Sequence, residues 1–90
     1  MLDIVLSNQF KKDLKLIKKR KYNIELLEKI VDKLAKEETI PKKYRDHELT
    51  GNYKGFRECH IEPDWLLVYR VNNNELFLFL SRTGTHSDIF

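Results

Sequence analysis

The 90-residue chain predicts an α+β fold with the order β-α-α-β-β-β. Two N-terminal helices would pack on one face of a mainly antiparallel sheet of about four strands. Three observations lead there. Two segments in the first half carry apolar residues at helical spacing, and three runs in the second half are rich in strand-forming residues. The breaks between those runs are turn formers, the punctuation of a meander of hairpins.

The elements follow in order. Leu2, Ile4 and Leu6 alternate with Asp3 and Val5, which predicts a first strand. Ser7 is a cap for a helix bearing Phe10, Leu14 and Ile17 at i, i+4 and i+7. Asn23 caps a second helix, whose stripe is Leu27, Ile30, Val31 and Leu34. Ile40-Pro41 stops it, because a residue before proline resists the helical region. Residues 41–55 form a polar loop with Gly51 and Gly55, and strands Phe56–Glu62, Trp65–Val71 and Leu76–Ser81 follow. Pro63-Asp64 and Asn72-Asn73-Asn74 punctuate them as a meander of hairpins. With period two, Arg57, Cys59 and Ile61 share one face, while Glu58, His60 and Glu62 share the other. His60 is therefore expected to point out of the core. Leu76–Leu80 is apolar on both sides and reads as a central, well-covered strand.

Residues 1–90 make a single domain, near the lower size at which one core holds without staples. Hydrophobic residues at 41% and charged residues at 34% exclude a disordered chain. The one cysteine, Cys59, excludes an internal disulfide and suits a reducing cytosol. Its place inside a strand marks it as a packing residue. No apolar run reaches the roughly 20 residues of a membrane span. The N-terminus, with Asp3 inside its short apolar stretch, is unlike a signal peptide, so a cytoplasmic location is expected.

Charge is unevenly spread. Residues 1–45 hold 13 Lys/Arg against 7 Asp/Glu, a net +6, whereas residues 46–90 hold 4 against 7, a net −3. Lys11, Lys12, Lys15, Lys18, Lys19, Arg20 and Lys21 form a ridge that would attract a polyanion. Alone, such a ridge is a solvated helix face. Beside a site able to act on RNA, it becomes a docking surface.

All three histidines, His47, His60 and His86, lie in the second half, together with Asp64 and a tail rich in functional groups. Metal-free RNA cleavage uses the 2′-hydroxyl as nucleophile on the adjacent phosphate. It needs a base, an acid for the departing 5′-oxygen and a cation for the phosphate charge. Singly, each residue has an ordinary explanation: a surface loop for His47, an ion pair with Glu58 or Glu62 for His60, a turn for Asp64, a tail hydrogen bond for His86. Zinc is not expected, since there is no second cysteine and no His-x-x-x-His pair. No cofactor is expected either.

Four stretches together are more specific: Asp46-His-Glu-Leu-Thr-Gly51, Gly55-Phe-Arg-Glu-Cys-His-Ile61, Pro63-Asp-Trp-Leu-Leu-Val-Tyr69 and Arg82-Thr-Gly-Thr-His-Ser-Asp-Ile-Phe90. They resemble the YafQ-type toxins of the RelE-like superfamily of bacterial toxin–antitoxin systems. The resemblance implies a ribosome-dependent endoribonuclease that cuts translated messenger RNA, held inactive by a DinJ/RelB-like antitoxin. The toxin alone is expected to be a monomer, in a larger assembly with the antitoxin. It carries catalytic roles to His47, His60, Asp64 and His86. Asp64 or His60 would be the base, His86 the acid and His47 an orienting group. Arg82 would clamp the scissile phosphate, Arg57 would also bind substrate, and Phe90 and Trp65 would stack on bases, although Trp65 could instead pack against the loop carrying Gly51. Two other readings remain open: a RelE-fold poison of DNA gyrase without catalysis, and a passive basic RNA-binding module.

Overall fold

The computed structural model describes all 90 residues. Strand β1 (Asp3–Leu6) leads into helix α1 (Asn8–Lys19) and helix α2 (Ile24–Ala35). Strands β2 (His47–Glu48), β3 (Arg57–Glu62), β4 (Trp65–Asn72) and β5 (Phe77–Gly84) follow, and a single helical turn α3 (His86–Ile89) closes the chain. The strands form one sheet in the order β1-β5-β4-β3-β2. Only β1 and β5 run parallel; the other pairs are antiparallel.

The helix starts follow the predicted caps. Ser7 Oγ accepts from the Phe10 amide and donates to the Ser81 carbonyl, which ties α1 to β5. The Asn23 side chain accepts from the Glu25 amide. Helix α2 stops at Ala35, before the expected Ile40-Pro41 break. Glu37 turns left-handed at φ 59°, and the amides of Glu37 and Glu38 return to the carbonyls of Leu34 and Lys33. The Ala35 carbonyl is taken by the Leu2 amide, so the start of β1 closes the end of α2.

The sheet has five strands, one more than expected, because the loop over residues 41–55 contributes the two-residue β2. The main core lies between the helices and one sheet face: Phe10, Ile17, Leu27, Ile30 and Leu34 meet Cys59, Ile61, Trp65, Leu67, Tyr69, Leu78 and Leu80. A smaller cluster of Leu66, Val68 and Ile89 sits on the opposite face beneath Leu49, Tyr53 and Phe56. Strand β5 is interior but less covered than its sequence suggests. Leu78 and Leu80 are buried, whereas Phe77 and Phe79 are half-buried on the face that has no helices. That face stays partly open where the candidate site lies.

Candidate active site

Strand register assembles the site. Directly opposed residues share a face, and one row across the sheet runs His47, Glu58, Val68, Arg82. The next row runs His60, Leu66, Gly84. Histidines from β2 and β3 and an arginine from β5 therefore look out on the helix-free side. Neighbouring strands are ~4.8 Å apart, so the chain leaving β5 at Gly84 starts about 10 Å from His60.

Hydrogen bonds orient the two strand histidines. His60 Nδ1 lies 3.3 Å from the Pro63 carbonyl oxygen. A carbonyl only accepts, so Nδ1 carries the hydrogen and Nε2 of the neutral ring keeps its lone pair. His47 Nδ1 lies 2.7 Å from the Arg45 carbonyl, and its Nε2 lies 3.0 Å from Oε2 of Glu58. With Nδ1 donating to a carbonyl, the second contact needs a proton between ring and carboxylate. The two imidazole rings are 6.4 Å apart.

The tail comes to the same side. Gly84 has φ 151°, and Thr85 caps α3 through a reciprocal box with Asp88. The His86 amide donates to Asp64 Oδ1 at 3.4 Å, so the β3–β4 turn touches the start of α3. The His86 ring is 5.0 Å from Phe90, whose other neighbour is Tyr53 at 5.3 Å. His47 is thus beside His60, Asp64 is beside His86, and the turn from His60 to Asp64 links the two pairs. Phe90 remains 51% exposed.

Arg82 is held as an ion pair. Its Nε and Nη2 donate to Asp13 of α1 at 2.8 and 3.2 Å, and Nη2 also reaches the Asp88 carbonyl at 3.2 Å. Bonding to Asp13 raises its already high pKa, so it is a fixed cation. Beyond Leu6, opposite Leu80, β1 no longer covers the β5 edge. Helix α1 takes over there, with Asp13 also accepting from the Thr83 amide.

Three expected binding residues are placed elsewhere. Trp65 is 1% exposed, donates from Nε1 to Thr83 Oγ1 and meets the edge of Tyr22 at 5.0 Å. It is a core residue that no base can reach, and it packs away from the Gly51 loop. Arg57 pairs across the strands with the buried Tyr69, on the face opposite His60. It holds Asp46 through two 3.3 Å contacts, and Asp46 also accepts from the Tyr69 hydroxyl at 2.6 Å. Arg57 therefore anchors the backbone just before His47. Arg20, expected on the docking ridge, instead grips Asp88 at 2.6 and 3.2 Å. Lys11, Lys12, Lys15, Lys18, Lys19 and Lys21 are all exposed. Glu58 was not among the expected site residues. A polar position on an alternating strand reads as solvent-facing, and only the β2 pairing buries it against His47.

The family model for the bacterial toxin of a type II toxin–antitoxin system, YafQ, matches residues 2–90. The chain belongs to the YafQ toxin family. The mRNA interferase toxin YafQ of Escherichia coli (strain K12) is 39% identical over 89 residues, covering 98% of this chain and 95% of that protein. A crystal structure of a metal-bound toxin from Helicobacter pylori superposes with a TM-score of 0.94 at 49% identity, over 100% of both chains. YafQ in the E. coli DinJ–YafQ complex gives 0.91 at 38%, over 100% of this chain and 99% of that one. This YafQ-family chain has the RelE-like α+β fold expected from its motifs. No helix in it is long and apolar enough to cross a membrane.

Proposed function

We propose that this protein is an endoribonuclease toxin that cuts translated messenger RNA by metal-free acid–base chemistry. The observation that carries the reading is the gathering of proton-transfer groups and a fixed guanidinium on one open sheet face. The first row supplies Arg82 and the His47–Glu58 pair, the second supplies His60, and α3 supplies His86 beside Asp64.

Nε2 of His60 takes the proton of a 2′-hydroxyl, its other nitrogen being held by the Pro63 carbonyl. The 2′-oxygen then bonds to the adjacent phosphorus and the P–O5′ bond breaks. The imidazolium of His86 gives its proton to the departing 5′-oxygen, leaving a 2′,3′-cyclic phosphate and a 5′-hydroxyl. Arg82 balances charge on the phosphate oxygens. The proton shared by His47 and Glu58 lets that pair hold its place beside His60 as an orienting unit. Asp64 is engaged with the His86 amide and positions the acid, which leaves the base role to His60. Phe90, largely exposed, is the aromatic surface available to a base.

Two structural relatives are metal-bound toxins, one of them a copper-bound mutant. Here no three His, Cys, Asp or Glu side chains converge as ligands. His47 is committed at both ring nitrogens, so this donor set does not fit a resident metal and no step passes through one.

A catalyst this small has little surface for positioning a flexible strand, and the ribosome supplies that orientation. The exposed lysines of α1 dock on ribosomal RNA, so activity falls steeply with salt. The partner that restrains it is a DinJ-like antitoxin carrying an acidic segment, and toxin and antitoxin meet in the cytoplasm. Programmed ribosomes incubated with the protein, followed by primer extension, test this. New 5′ ends are expected with the intact protein and none with His60→Ala or His86→Ala. Unchanged cleavage by both variants would refute the assignment.

A further inference from the structure

The tail bearing His86 and Phe90 is short enough to fray, and α3 is only one turn of helix. Two carboxylate–guanidinium forks hold it to α1. Arg20, at the C-terminal end of α1, bonds both oxygens of Asp88. Asp13, one side of the same helix, holds Arg82, which reaches the Asp88 carbonyl. Asp88 Oδ2 also accepts from the Thr85 amide, so the carboxylate that is gripped is the one that closes α3. Bonding to Arg20 pulls the Asp88 carboxyl well below its ordinary range, so the fork stays ionised wherever RNA and ribosomes are stable. Gly84 permits the fold-back: a Cβ there would lie 2.9 Å from Asp88 Oδ2 and 3.1 Å from its Cβ.

We infer that Arg20 and Asp13 are positioning residues, which clamp the His86–Phe90 segment to α1 and set the acid and the stacking ring against the phosphate. This deepens the nuclease reading and rests on it. Arg20 then has a different task from the lysines beside it. They offer charge to RNA, whereas Arg20 spends its planar fork on the tail.

The test exploits the difference between the two cations. Arg20→Lys keeps the charge and its favourable place at a helix C-terminus, but one ammonium cannot reproduce two parallel bonds. Single-turnover cleavage on programmed ribosomes is expected to fall on the order of 10²-fold in Arg20→Lys, as for other small misplacements of a catalytic group. The ribosome concentration needed for half-saturation should barely change. Asp88→Asn should behave likewise, and the double variant Arg20→Lys/Asp88→Asn should be no slower than either single one. Amide exchange at Thr85 and Phe90 should quicken in each variant. Wild-type cleavage by Arg20→Lys would overturn the clamp, as would a defect seen only in half-saturation. If the wild type itself cuts no message, the nuclease reading fails. Exchange then decides alone, and unchanged protection at Thr85 and Phe90 would overturn the clamp as well.

Discussion

Asp13 sits in the middle of a lysine-rich helix and looks dispensable, yet replacing it with alanine should be among the costliest single changes in the chain. Asp13 as a whole is 6% exposed. It accepts from Arg82 Nε at 2.8 Å, Arg82 Nη2 at 3.2 Å, the Thr83 amide at 3.1 Å and Gln9 Nε2 at 3.1 Å. Asp13→Ala strips the partner from a guanidinium whose side chain is only 20% exposed, and leaves a buried amide unbonded. Removing one member of a buried pair costs about 3–5 kcal/mol. An orphaned amide costs about 1–3. Residual solvent at Arg82 and the better helix propensity of alanine, up to ~0.7 kcal/mol, offset part of this. A net loss of about 3–4 kcal/mol remains. A domain of this length is stable by roughly 5–14 kcal/mol, so the loss is a large fraction of the whole. Urea unfolding at 25 °C, followed by circular dichroism, measures it directly. Asp13→Asn keeps an acceptor for Thr83 and should lose only about half as much. A loss below ~1 kcal/mol in Asp13→Ala, the range of exposed ion pairs, would refute the burial-and-pairing account.

His47→Ala should destabilise the fold by about 1–3 kcal/mol, because Glu58 is left buried without its partner; Glu58→Gln should cost less, since the amide can still donate to His47 Nε2. Urea midpoints of the two variants give the comparison, and equal losses would contradict the shared-proton picture. Trp65→Phe removes one buried hydrogen bond and some volume, so a loss of roughly 1–3 kcal/mol is expected. Cleavage measured well below the melting temperature should survive, and its collapse in a folded variant would put the indole back at the substrate. Burial pushes the Cys59 thiol from 9.0 up to about 12, with the charges of Asp46 and Glu58 adding to it. The folded chain therefore keeps a proton that the unfolded chain gives up above pH ~9, and Cys59 contributes a loss of about 1.4 kcal/mol per pH unit from there towards 12. Cys59→Ala should flatten the alkaline slope of urea stability by that amount, and the native thiol should resist alkylation at neutral pH.

Much of the fold was legible because local chemistry and global packing agree. Ser7 and Asn23 cap the helices they were expected to cap, and the first hairpin turn falls at Pro63-Asp64. The second covers residues 73–76, so Asn72 still belongs to β4 and Leu76, expected to open the last strand, lies in the turn at φ 57°. What stayed hidden depends on partners distant in sequence. Strand β2 is two residues long and has no periodicity to read; it exists because His47 and Glu48 meet Glu58 and Arg57. Trp65 and Leu66 alternate between two apolar faces, and nothing local says which face the helices cover. Arg20 looked like one more basic residue until the tail folded back beside it. Asp13 left a trace that could have been followed: it falls three residues after Phe10 and four before Ile17, on the buried stripe rather than the charged face.

The pairing of β1 with β5 governs the order in which the molecule can be put together. Asp3 waits for Phe77, and Ser7 for Ser81, before either is satisfied. Local hairpins can close early, but the first strand has no place in the sheet until almost the entire chain has been synthesised. Phe10 and Ile17 gain their full cover only then. A polypeptide cut short before residue 77 is left without the β1–β5 pairing, Arg82 and His86 together. Half-made copies would therefore lack the groups on which the proposed cleavage depends, and the complete constellation would arrive as a single late event.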